Sequence, residues 1–186
     1  MFAQAHPAFA LLVVGLVLGG FGSGGGKVFG QPGDGDEEKG EISIVEARGR
    51  ARLLHEVLHG ALQVMHRDFF DEDERDVIPS ASLEDVFEVL EEQHAVELRW
   101  LGVNARVMDS DHKPRDEFEE AAVRALAKGE HEFEAVEDGR LRYAGAIELH
   151  NQCLKCHVPN RTSLEDRAAG LLIYLPLKTN SNQSTE

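Results

Sequence analysis

With 186 residues, 42% of them hydrophobic, the chain has apolar material for one packed domain plus appendages. Its 34 acidic residues outweigh 19 basic ones, a net charge of −15 that excludes nucleic-acid binding through a basic face. Such an acidic surface serves solubility and favours encounter with a basic partner.

Ala8 to Leu18 is a continuous apolar run, the length of a signal-peptide hydrophobic region. Extended from Phe2 to Phe21 it reaches a short membrane span, interrupted by His6 and Pro7. No Lys or Arg precedes it and no clean Ala-x-Ala follows, so residues 1–22 read as either a signal peptide or an N-terminal membrane anchor. Both place the rest of the chain in the periplasm or on the outer face of the cytoplasmic membrane. Residues 23–40, Gly-rich and then acidic, read as a flexible linker.

The pattern predicts a long helix over Ile42 to Phe70, with Leu54, Leu58, Leu62, Met65 and Phe69 as its apolar stripe. His55, His59 and His66 flank that stripe. Asp71 to Asp76 is an acidic turn; it lacks the Gly and the spacing of a calcium loop. A second helix is expected from Ser82 as N-cap, with Glu84 and Asp85 in its first turn, to about His94. Its buried face is expected to be Leu83, Val86, Phe87 and Leu90.

From Val96 to Val103 the period changes to two, as in a half-buried strand that can run on to Met108. A turn at Asp109 to Pro114 leads to a third helix over Asp116 to Lys128, with Phe118, Ala122 and Leu126 inward and Gly129 at its end. Glu132 to Val136 and Leu141 to Ile147 flank Asp138-Gly139, a two-residue hairpin signal. Gly170 to Leu177 reads as a last apolar strand, and residues 179–186 as a disordered tail. Helices first, then strand, helix, hairpin and strand describe an α+β domain with an antiparallel sheet, covering residues 41–178.

Between hairpin and last strand stands Cys153-Leu154-Lys155-Cys156-His157, which holds both cysteines of the chain. Cys-x-x-Cys-His is the attachment signature of haem c: two thiols add across two vinyl groups of one porphyrin, and the following histidine binds iron on the proximal side. The spacing also admits a redox dithiol, or half a zinc site completed by His150 and His157. A βαβ context for the former and a second ligand pair for the latter are missing from the sequence.

The motif near the C-terminus, Trp100 to Asn104, Asp109 to Glu119, Tyr143 to Ile147 and Ala169 to Leu177 together resemble a bacterial family of PAS-like c-type haem domains, over residues 42 to 177. The resemblance implies one covalent haem c held between the long helix and a PAS-like antiparallel sheet, in an electron-transfer or redox-sensing domain outside the cytoplasm. Relatives are often fused to signalling modules such as histidine kinases. None is read here, so an unidentified redox or signalling partner protein is expected to be separate.

Some relatives look to use a cysteine of the first helix as distal iron ligand, and this chain has no third cysteine. The distal candidates are His66, then His59, then Met65, with His112 next, off the helix. Arg67, Arg99 and Arg161 are candidate partners for the haem propionates. The expected role is a one-haem electron carrier or redox sensor, not an enzyme. A gas-sensing or peroxidase-like protein with an open distal site, and a zinc-binding interaction domain, are the alternatives.

Overall fold

A computed structural model describes residues 42–71 and 78–178. The export-type N-terminus, the linker, residues 72–76 of the acidic run and the C-terminal tail lie outside the described residues. Among the described residues no helix is long and apolar enough to cross a membrane.

The elements in chain order are α1 (Ile44–Asp68), α2 (Pro79–His94), β1 (Glu97–Gly102), a 3-10 turn (Ser110–His112), α3 (Glu117–Leu126), β2 (Glu132–Glu137), β3 (Arg140–Glu148), α4 (Asn151–His157) and β4 (Ala168–Pro176). The four strands form one antiparallel sheet in the order β1-β4-β3-β2. The protein is therefore an α+β domain, as its alternation of patterns predicts.

Each helix starts where its caps allow. Ser43 accepts a hydrogen bond from the Glu46 N–H at 3.3 Å and opens α1. Helix α2 begins earlier than expected, because Pro79 sits in its first turn, where a missing N–H costs nothing. Ser82 thus lies inside the helix and its hydroxyl donates to the Ile78 carbonyl. Asp116 caps α3 by accepting from the Glu119 N–H at 3.0 Å. The Asp138-Gly139 turn has positive φ at both residues, 50° and 71°, as a tight hairpin of matching twist requires.

The sheet is covered on both faces. Leu98 and Trp100 of β1, Leu141, Tyr143 and Ile147 of β3, and Leu171, Ile173 and Leu175 of β4 meet Ala47, Ala51 and Leu58 of α1 and Leu83 and Phe87 of α2. Trp100 ties the layers together: its ring lies 4.9 Å from Phe87, and its Nε1–H donates to the Ser80 carbonyl at 3.1 Å. The opposite face carries Leu101, Ala144, Leu172 and Tyr174 against Phe118, Ala122 and Leu126 of α3. Strand β4 is buried on both sides, which explains why its sequence is continuously apolar rather than alternating. Each fully buried Leu or Ile there contributes about 1.5–3 kcal/mol.

Three expectations fail locally. Phe69 is 79% exposed, because α1 ends at Asp68 and the next residue leaves the stripe. Val86 is 42% exposed rather than buried, because α2 buries a narrower face centred on Leu83 and Phe87. Strand β1 stops at Gly102 instead of running to Met108: the chain folds back so tightly that Val107 fills the space a side chain at 102 would need. Residues 103–109 become a loop that leans over α4.

Candidate functional site

The second strand of the hairpin, β3, ends two residues before the helix that carries Cys153 to His157. The motif occupies its own short helix, α4, with His150 at its N-cap. Two interactions seat α4. The Gln63 side-chain amide of α1 lies 2.8 Å from His59 Nε2 and 3.3 Å from His150 Nε2, bridging α1 to the start of α4. At the other end, the Arg106 N–H donates to the His157 carbonyl at 2.9 Å.

Cys153, Cys156 and His157 all line one cavity of about 390 Å³. Its walls come from the end of α1 (His66, Phe70), the start of α2 (Ser80, Ala81, Glu84), the end of β1 (Trp100, Leu101, Gly102), the loop that follows (Arg106, Val107, Met108, His112) and the start of β4 (Ala168, Ala169). The cavity therefore sits at one end of the sheet, where an apolar wall meets a few histidines and thiols. That combination marks a ligand site.

The electrostatics favour neutral donors. Burial lowers the pKa of His157, and the neighbouring His66 and His112 lower it further. The ring is thus neutral near pH 7. A carbonyl can only accept, so the contact of His157 Nδ1 with the Arg106 carbonyl at 3.2 Å puts the proton on Nδ1 and leaves the Nε2 lone pair for a metal. His66 shows the same arrangement, its Nδ1–H donating to the Leu62 carbonyl at 3.0 Å. Burial pushes the Cys153 thiol upward. That is opposite to the depression that activates a redox dithiol. A zinc site lacks donors: among the described residues no three His, Cys, Asp or Glu side chains group so as to hold a metal ion.

The remaining candidates fall in different places. His59 and His66 are two turns apart on α1, about 10.5 Å along its axis. They share a face, yet only His66 reaches the cavity wall; His59 lies beside His55, at 5.6 Å between ring centroids, and Gln63. Met65 packs against the core of the α1 face. His112 lines the cavity with its Nε2 3.2 Å from Glu84 Oε1. Of the three arginines, Arg67 pairs with Asp68, Arg99 with buried Glu119, and Arg161 donates to the Ser163 and Glu165 carbonyls. None of the three lines the cavity, whereas Arg106 does. Sequence reasoning missed Arg106 and Met108, because no periodicity marks residues of an irregular loop that tertiary folding carries to a site.

No curated protein matches this chain. Among solved structures, the fold is similar to the crystal structure of the cyanobacterial heme-protein Tll0287, with a TM-score of 0.53 over 73% of this chain and 98% of that one, at 14% identity. The family model described as "Tll0287-like: Tll0287" matches residues 40–170, well over half of the sequence, and the chain belongs to the Tll0287-like family.

Proposed function

We propose that this protein is an exported mono-haem c-type cytochrome serving electron transfer or haem-based redox sensing, and not an enzyme. One observation carries the reading: both thiols and the histidine of the Cys-x-x-Cys-His motif face the same largely apolar cavity, with a second imidazole, His66, in its wall. The donor set fits haem c. Cys153 and Cys156 would hold the porphyrin through thioethers, His157 would bind iron proximally, and His66 would be the distal ligand. Haem c, when bound, supplies reversible one-electron chemistry between ferric and ferrous iron.

The chain's own residues do the rest. The Arg106 carbonyl fixes the His157 ring and its tautomer, and the Leu62 carbonyl does the same for His66. Trp100, Leu101, Val103 and Val107 exclude water from the cavity wall. The Tll0287 comparison supports the reading, since that protein is a heme-protein of similar fold.

The test is an optical spectrum and intact mass of the full chain produced with the cytochrome c maturation machinery. One haem should survive acid–acetone extraction, and both oxidation states should be low-spin. A haem-free mass from maturation-competent cells would overturn the reading. Export is tested separately by a reporter fused after Gly40, expected to be active only outside the cytoplasm.

A further inference from the structure

We propose that Arg106 and Arg167 form a carboxylate seat beside the cavity and that it receives a propionate arm of the haem; the inference rests on the haem reading above. A second, open groove of about 300 Å³ shares Ala105, Arg106 and His157 with the cavity wall and adds Asn104, Asn160 and Arg167 among its lining residues. Arg106 is the one Lys or Arg among the cavity-lining residues, and its guanidinium has no hydrogen-bond or ion-pair partner among the described residues.

Arg167 is anchored and incompletely satisfied. One terminal nitrogen donates to the Asn104 carbonyl at 3.0 Å, and the other to Ser163 Oγ at 3.2 Å and Glu165 Oε2 at 3.3 Å. Its Nε is buried and has no hydrogen-bond partner. A buried donor without an acceptor is costly, and a guanidinium is matched in shape to a carboxylate.

The charges nearby are compatible with an incoming acid. Glu165 is 75% exposed, so its charge is largely screened by water. The acidic side chains of the cavity wall are already engaged, Glu84 with His112 and Asp109 with the Asp111 N–H. In a chain of net charge −15, one arginine in the wall of an apolar cavity and a second in the open groove that shares that wall are placed where an amphipathic ligand would leave its acidic end.

The experiment uses the full chain with haem attachment verified by intact mass, comparing wild type with Arg106→Gln, Arg106→Lys and Arg167→Gln. The readouts are the midpoint potential and the propionate bending bands in the resonance Raman spectrum. Arg106→Gln should lower the potential, because loss of a nearby positive charge favours ferric iron, and should shift a propionate band. Arg106→Lys should restore the potential but not the band, since Lys keeps the charge and loses the planar fork. Arg167→Gln should lower the potential in the same direction. Arg106 is exposed, so its variants keep the fold even where Arg167→Gln does not. An intact haem mass with potential and band unchanged in Arg106→Gln would overturn the seat and leave the haem reading standing. A wild-type protein without haem would overturn both.

Discussion

His157 and Arg106 hold each other through a reciprocal pair of hydrogen bonds. The Arg106 N–H donates to the His157 carbonyl at 2.9 Å, and the His157 Nδ1–H donates to the Arg106 carbonyl at 3.2 Å. The loop after β1 is thereby stitched to α4, and the imidazole is fixed in one tautomer. The motif helix is presented to the cavity by its surroundings rather than by its own length, since α4 has only 7 residues.

Attachment should depend on both thiols and not on the surrounding histidines. The double variant Cys153→Ser, Cys156→Ser should lose all covalent haem by intact mass after acid–acetone extraction. His66→Ala, His59→Ala and His112→Ala should each retain it. A haem mass persisting in the double serine variant would contradict thioether attachment at these positions.

His66 should set the spin state and the potential. His66→Ala should give a high-spin or water-ligated ferric spectrum and faster carbon monoxide binding. His59→Ala should leave both unchanged, because His59 stands two turns away, with Gln63. His66→Met should raise the midpoint potential, since a thioether ligand stabilises ferrous iron relative to imidazole. A low-spin spectrum in His66→Ala that is lost in His112→Ala would assign the ligand to His112 instead.

Glu119 should be the costliest polar side chain to remove. It is 3% exposed, pairs with Arg99, and accepts from the Tyr174 hydroxyl at 2.8 Å and the Arg115 N–H at 2.6 Å. Glu119→Ala leaves the Arg99 guanidinium, itself 10% exposed, without its counter-charge. The expected loss is about 3–5 kcal/mol, read from urea denaturation. A loss below about 1 kcal/mol would show that water replaces the carboxylate.

Stability should fall on mild acidification through His55. Burial lowers its pKa below the ordinary 6.5, and the neighbouring His59 lowers it further, against the opposing pull of the Ala146 carbonyl, Glu56 and Glu132. The folded state therefore binds the proton less readily than the unfolded one. The stabilisation is fully present above about 6.5 and is lost as the pH falls through the lower folded value. His55 also donates from Nε2 to the Ala146 carbonyl at 3.0 Å, a bond the neutral ring can make. The melting temperature should drop between pH 7.5 and 5, and His55→Gln should flatten that slope. An unchanged slope in the variant would place the titration at other groups.

The sequence by itself determined the three longer helices, the four strands and the antiparallel α+β class. Local physics suffices for these. A period of two marks β1, an uninterrupted apolar run marks doubly covered β4, Asp138-Gly139 demands positive φ twice, and Cys-x-x-Cys-His puts two thiols and an imidazole within one turn or two. The family resemblance drawn from those segments agrees with the family match over residues 40–170. Only the tertiary structure decided which distant residues share the cavity. The spacing of His59 and His66 is equivalent on a helical wheel, and two turns of rise separate the one that lines the cavity from the one that helps seat α4. Arg67, Arg99 and Arg161 were as eligible as Arg106 by sequence, but ion pairs and carbonyls engage the first three elsewhere, while the turn-back at Gly102 carries Arg106 to the cavity wall. Charge type and period are written in the chain locally; which charges find partners depends on contacts between residues far apart in sequence, and those exist only once the sheet has closed.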